Sequence, residues 1–188
     1  MTSETRFREY LDSLFEVLGH KDRHGPAEAY LKGLIIPGRR KSIEPMAARV
    51  DPDHVRQRHQ SMHHFVANSP WKDDAVLRCV RAHAKPLVEQ HGSIAAWIVD
   101  DTGHRKKGKH SVGVSNQYCG VLGKNDNCQV AVSVSWANEA ASLPVGYRLY
   151  LPQSWTSDPD RMKRAGVPQG TTFATKPEIA IALMETLL

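Results

Sequence analysis

Apolar positions recur at three- and four-residue steps through the first half of the chain and switch to alternation in the second. Phe7, Leu11, Leu14, Phe15 and Leu18 lie on one face of a helix over Glu4–Leu18, with Gly19 as its stop. Gly25-Pro26 opens a second helical segment carrying Ala27, Tyr30, Leu31, Leu34 and Ile35, and Pro37-Gly38 closes it. Ser42 is placed to cap a short helix from Ile43 to Arg49, and Asp51-Pro52 reads as N-cap and first residue of a helix running to Ala67. A last helix spans Trp71 to Gln90, and Pro86 is expected to kink it or end it early.

The grammar changes near residue 93. Ala95, Ala96, Trp97, Ile98 and Val99 read as a buried strand that ends on two carboxylates, Asp100 and Asp101. Because strand residues alternate faces, these two cannot both point the same way while the strand stays extended. Ser111 to Leu122 is rich in small and β-forming residues, and Gly123–Asn127 signals a turn. In Cys128–Trp136, Cys128, Val130, Val132 and Val134 alternate with Gln129, Ala131, Ser133 and Ser135, giving a half-buried strand and a hairpin with its predecessor. Leu143–Leu151 is a further strand, which Pro144 confines to an edge or to its start. Residues 152–170 read as a loop or short irregular helix, and Thr175 starts a helix with Ile179, Leu183 and Leu187 in register. Chains of this class seldom end on an open apolar helix without a strand to cover it, so the chain is expected to be cut short. The expected organisation is a helical region over residues 1–92 and an α/β region over 93–188.

Composition narrows the class without naming it. The chain has 188 residues and a formal net charge of +5. Residues 1–92 hold 15 Lys and Arg against 12 Asp and Glu, and residues 93–188 hold 10 against 8. Neither half monopolises the charge, so a basic surface must be assembled by folding. No apolar run approaches the roughly 18 residues that cross a bilayer, and no signal peptide opens the chain. The three cysteines make no disulfide framework, which suits a cytoplasmic protein with no membrane partner.

Candidate chemistry follows the charges. Asp100 and Asp101 could hold a divalent metal, and Lys106, Lys107 and Lys109 just after them would attract a polyanion. Arg39, Arg40 and Lys41 form a second run of cations. Residues 43–67 have the outline of a helix-turn-helix with Arg56 on its second element, although any two consecutive helices share that outline. His63 and His64 diverge around a helix and cannot chelate one ion, and Cys79 with His83 lacks a second ligand pair.

Several blocks, in order, resemble bacterial insertion-sequence transposases of the DDE superfamily: DDTGHRKKGKHSVGV, NQYCGVLGKNDNCQVAVSVS, LPVGYRLYLP, AGVP and TKPEIAIAL. Upstream, GPAEAYLKGLIIPGRRKSIEPMAARV and HHFVANSPW resemble that family's helical N-terminal region, so the likeness spans about residues 25–188. The resemblance implies an α+β chain, in which a helical DNA-binding region precedes part of an RNase H-like α/β domain. It also implies two-metal phosphoryl transfer, in which three carboxylates hold two Mg²⁺ (or Mn²⁺) ions that activate the attacking oxygen and stabilise the leaving one. Family alignments put the first catalytic aspartate before a Thr, which selects Asp101 as metal ligand over Asp100.

The likeness stops short of the other two carboxylates. Asp126, Asp158 and Asp160 sit in turn or loop contexts, and Glu139, Glu178 and Glu185 do not match the family's positions. A single carboxylate cannot assemble a two-metal site, so the metal is expected only in a completed active site and the chain should not cut DNA alone. The expected partners are double-stranded DNA at element ends, a second copy, or a missing C-terminal part. The alternative is a non-catalytic DNA-binding remnant or a regulator of transposition.

Overall fold

A computed structural model describes residues 2–187 and divides the chain into two compact units, residues 1–83 and 84–188. The boundary falls inside a helix rather than at the change of grammar near residue 93. The fold class is α+β, with helices first and an antiparallel sheet after them.

In the first unit α1 (Ser3–Leu18) is capped by the Thr2 hydroxyl, which accepts from the Thr5 N–H, and it ends at Gly19 with φ 82°. Its buried stripe, Leu11, Leu14 and Leu18, is the one its spacing predicts. α2 (His24–Ile35), α3 (Ile43–Val50) and α4 (Val55–Ala67) follow. Leu14, Leu18, Ala27 and Phe65 form one core, and Ala29, Met46, Ala47 and Met62 form another. α2 and α3 approach so closely that a Cβ on Gly33 would stand 2.7 Å from the Met46 Cβ. Asp51 does not cap the following turn through its side chain. Its carboxylate is taken instead by Arg58 Nη2 at 2.9 Å and His54 Nδ1 at 3.1 Å.

α5 (Asp73–Glu89) continues three residues past Pro86. Pro86 lies in the last turn, where its missing N–H forfeits a single helical hydrogen bond, so the helix does not stop before it.

The second unit is built on β1 (Ala96–Arg105), β2 (Ser115–Cys119), β3 (Lys124–Ala137) and β4 (Ser142–Tyr150). β3 is the centre: it pairs antiparallel with β1 and β4 and makes the predicted hairpin with β2. The hairpin turn is tighter than the sequence suggests, because β3 begins at Lys124 directly after Gly123, whose φ is 64°. Pro144 sits on β4, which pairs on one side alone among the described residues, and a register shift falls opposite it between Val134 and Ser135. On β3 the residues Cys128, Val130, Val132, Val134 and Trp136 are all buried, as the alternation predicts.

β1 departs from expectation twice. It does not end at the aspartates but runs through Asp100, Asp101, Thr102, Gly103 and His104, because backbone pairing continues to Arg105 opposite Cys128. Nor is it a buried strand: Ile98 and Val99 are nearly half exposed, since β1 pairs with β3 alone among the described residues.

Two short helices, α6 (Gln153–Thr156) and α7 (Pro159–Arg164), precede α8 (Lys176–Glu185). α8 is opened by a reciprocal capping box between Thr175 and Glu178. Its Ile179, Ala180 and Leu183 bury against Val132 and Val134, with Trp97 and Tyr150 at the margin. α8 therefore covers the sheet face that carries the odd-numbered residues of β1.

Candidate functional site

Strand alternation separates the two aspartates. Asp101 stands opposite Val132, a residue buried under α8, and its carboxylate meets Lys176 Nζ from the first turn of α8 at 2.6 Å. Asp100 faces the other way, and its Oδ1 accepts the Asp101 backbone N–H at 2.8 Å. Between β1 and α8 lies an open cleft of about 540 Å³ lined by Val99, both aspartates, Lys176, Ala180 and Met184, among others. One wall is apolar and one carries a single ion pair. Gly103, two residues further along the same face, is buried because the hairpin closes on it: a Cβ there would stand 2.8 Å from Cys119 Sγ.

A hard divalent cation such as Mg²⁺ needs several oxygen ligands. Among the described residues no group of three or more His, Cys, Asp or Glu side chains is placed to hold a metal. Asp101 already has a cation against it. The donor set on this chain therefore does not by itself make a two-metal centre, and Asp101 is at most one ligand of one.

The basic turn after β1 is held by a residue that sequence reading passed over. Asn127 Nδ2 donates to the carbonyls of Lys106 (2.7 Å) and Gly108 (3.0 Å), while the Lys106 N–H returns to the Asn127 carbonyl at 2.8 Å. Gln129 Nε2 donates to the Val112 carbonyl, fixing the turn's far end. Arg105 pairs with Asp126 at 3.2 Å, but Lys106, Lys107 and Lys109 enter no ion pair among the described residues. Lys107 and Lys109 are exposed and Lys106 is half-buried. The run GKNDN gave a turn signal; that one of its amides would fasten a second turn 19 to 21 residues away was not visible in it.

The cations of the helical unit are arranged differently. Arg39, Arg40 and Arg56 are exposed. Lys41 is not a free surface charge: its Nζ donates to the carbonyls of Gly33, Leu34 and Ile36, at 3.3, 2.6 and 2.6 Å. An ammonium has three donors, and these carbonyls at the end of α2 take all of them. Cys79 and His83 do not form a ligand pair. His83 lies edge-on to Tyr10 with ring centroids 5.2 Å apart, and burial raises the Cys79 thiol above its ordinary range, with Glu16 adding to the effect.

Lys176 and Asp101 are 75 residues apart, and only the packing of α8 on the sheet joins them. Asn138, in the turn after β3, is a further residue without a sequence signal: its Nδ2 ties down the carbonyls of Val88 (2.9 Å) and Gly92 (2.8 Å) at the end of α5.

The site thus joins a strand-borne aspartate on a helix-covered sheet face to a basic turn that Asn127 holds. The family model for the DDE superfamily endonucleases matches residues 13–188, and the chain belongs to that family. The chain is also 34% identical over 155 residues to a protein of Microchaete diplosiphon described as a probable transposase for insertion sequence element IS701. The match takes in 82% of this chain and 36% of that relative, so the chain spans about a third of the relative's length. These likenesses place the chain among the insertion-sequence transposases of the DDE superfamily, a family whose endonucleases generally use divalent metal ions. No solved structure matches the chain. No helix among the described residues is long and apolar enough to cross a membrane.

Proposed function

We propose that this chain binds double-stranded DNA at element ends and supplies the first carboxylate, Asp101, of a DDE active site that cleaves and joins DNA. The observation that carries this reading is geometric. Both aspartates of β1 line the cleft under α8, but Asp101 alone shares the strand face of Val132 and is held there by Lys176 Nζ at 2.6 Å. Divalent ions, Mg²⁺ or Mn²⁺, would supply activation of the attacking oxygen and relief of charge on the leaving one in a completed site. This chain's own part is narrower. Asp101 offers a hard oxygen ligand, Asp100 fixes the strand beside it through the Asp101 N–H, and Lys176 balances the carboxylate.

DNA contact in this reading falls to Lys106, Lys107 and Lys109 on the anchored turn, and to Arg39, Arg40 and Arg56 on the helical unit. With no group of three or more metal-ligating side chains among the described residues, the chain alone holds DNA without cutting it. A role as a DNA-binding regulator of transposition, by competition at element ends, follows from that same deficit. Completion would come from a C-terminal portion or a second copy, in a cytoplasmic setting.

Two assays test the reading. The chain alone, with Mg²⁺ or Mn²⁺, should leave supercoiled plasmid intact; nicking that disappears in Asp101→Asn would overturn the inactive half of the proposal. In a protein carrying the remaining carboxylates, Asp101→Asn should abolish strand cleavage while retaining DNA binding, and Asp100→Asn should cut. Full cleavage by the Asp101 variant would sink the assignment.

A further inference from the structure

The second unit carries a cleft that the proposed active site does not use. It is about 520 Å³ and is lined by Lys109 and His110 of the basic turn, Trp155 of α6, and Arg161, Arg164 and Ala165 at the end of α7. Three features make it a built site rather than a scatter of charges.

First, the floor is rigid. Trp155 is buried, its Nε1 donates to the Val114 carbonyl at 2.8 Å, and Val114 and Met162 pack beside it. Second, Arg161 is pre-set. Its guanidinium carbon lies 3.7 Å from the centroid of the Trp155 ring, and Nη2 donates to the Lys109 carbonyl at 3.2 Å. The stacking and that one bond fix the fork, while its other N–H donors have no acceptor among the described residues. Third, the rim is cationic. Lys109, Lys163 and Arg164 are exposed and enter no ion pair among the described residues. Asp158 caps α7 by accepting the Arg161 backbone N–H at 2.9 Å, and the Arg161 guanidinium enters no ion pair among the described residues.

A planar, immobilised guanidinium with free donors matches a tetrahedral phosphate diester, and exposed cations on both sides of it match a chain of them. We propose that this cleft seats the phosphodiester backbone of duplex DNA, with Arg161 as the fixed fork and Arg164 and Lys109 flanking it. The inference rests on the reading of the chain as a DNA-binding protein. It adds α7, a part of the chain without a functional reading so far, as the second wall of the DNA track that begins at the basic turn.

The test is the affinity of the full chain for a fluorescein-labelled duplex, read by anisotropy across about 50 to 200 mM salt. Each lost phosphate contact lowers the slope of log affinity against log salt by about 0.9. Arg164→Gln, an exposed side chain outside the packing, should lower it by about one contact. Arg161→Gln with Arg164→Gln should lower it by about two, so the wild type loses roughly tenfold more affinity over that salt range than the double variant. Arg161→Lys should keep the slope and weaken binding severalfold, because it keeps the charge and loses the fork. If the wild type binds and neither Arg164→Gln nor the double variant changes the slope, the cleft proposal is overturned and the active-site reading stands. If the wild type binds no duplex at any salt, both fall. Equal affinity for phosphatidylglycerol vesicles and duplex would also overturn it, since the surface would then read charge alone.

Discussion

The two units solve the same problem with different side chains. Both must satisfy backbone carbonyls left over where elements end. The helical unit uses charged donors: Lys41 serves three carbonyls at the end of α2, Arg23 Nη1 donates to the Leu18 carbonyl at 2.6 Å, and Arg49 Nη2 to the Arg40 carbonyl at 2.9 Å. The sheet unit uses mainly neutral amides: Asn127, Gln129, Asn138, and Gln117, whose Nε2 donates to the Cys128 carbonyl at 2.9 Å. Arg161 is the exception, and it keeps most of its donors. A cation bonded into the fold has little left for a ligand, whereas a cation on a turn that an amide already holds is free to meet one. Counting Lys and Arg therefore says less about a DNA surface than asking which of them the backbone has claimed.

Neutralising the whole basic turn should break the contrast most visibly. Lys106→Gln, Lys107→Gln and Lys109→Gln together should cut duplex affinity by tens of fold over about 50 to 200 mM salt, measured by anisotropy. Thermal stability should stay within about 0.5 kcal/mol of wild type. Lys41→Met should do the reverse. Loss of its bonds to the α2 carbonyls should cost about 1–3 kcal/mol in denaturant unfolding and leave duplex affinity unchanged. A Lys41 variant that loses affinity as steeply as the turn variant would erase the distinction between the units.

Asn127→Ala sharpens the comparison from the other side. It removes a neutral support and no charge, so the expectation is a loss of about 1–2 kcal/mol in stability and a severalfold fall in affinity with the salt slope intact. The smallest effect is a pH dependence. Hydrogen bonds from Arg58 and then His54 hold the Asp51 carboxyl below its ordinary range. A depressed carboxyl stabilises the fold fully above its unfolded value and loses that contribution as pH falls through the folded one. Acid unfolding followed by circular dichroism should thus show a steeper decline in the wild type than in Asp51→Asn, and identical acid limbs would remove Asp51 from the account.

What was legible in the chain was periodic. Leu11, Leu14 and Leu18 in the first helix and the Cys128-to-Trp136 alternation in the central strand are buried as their spacing requires, because one face of each element must leave water. The α+β class and the opposed faces of Asp100 and Asp101 follow from the same periodicities. Polarity misled at β1. Asp100 to Arg105 look like a strand end, yet pairing with ten consecutive partners on β3 keeps them extended, and tertiary pairing outranks local preference. The remainder was illegible because it is non-local. Nothing near Lys41 announces that the chain turns back over the end of α2, and nothing near Asp101 points to Lys176.

The long polar run inside β1 has a consequence for how the chain behaves at high concentration. An exposed strand edge invites a second copy to pair with it, and Trp97, Ile98 and Val99 would make such a pairing adhesive. Asp100 and Asp101 interrupt that stretch with adjacent negative charges, and an in-register neighbour would set like against like. Asp101 is already paired with Lys176, so the repulsion falls mainly to Asp100, and replacing Asp100 with alanine should raise self-association in concentrated solution, as read by light scattering.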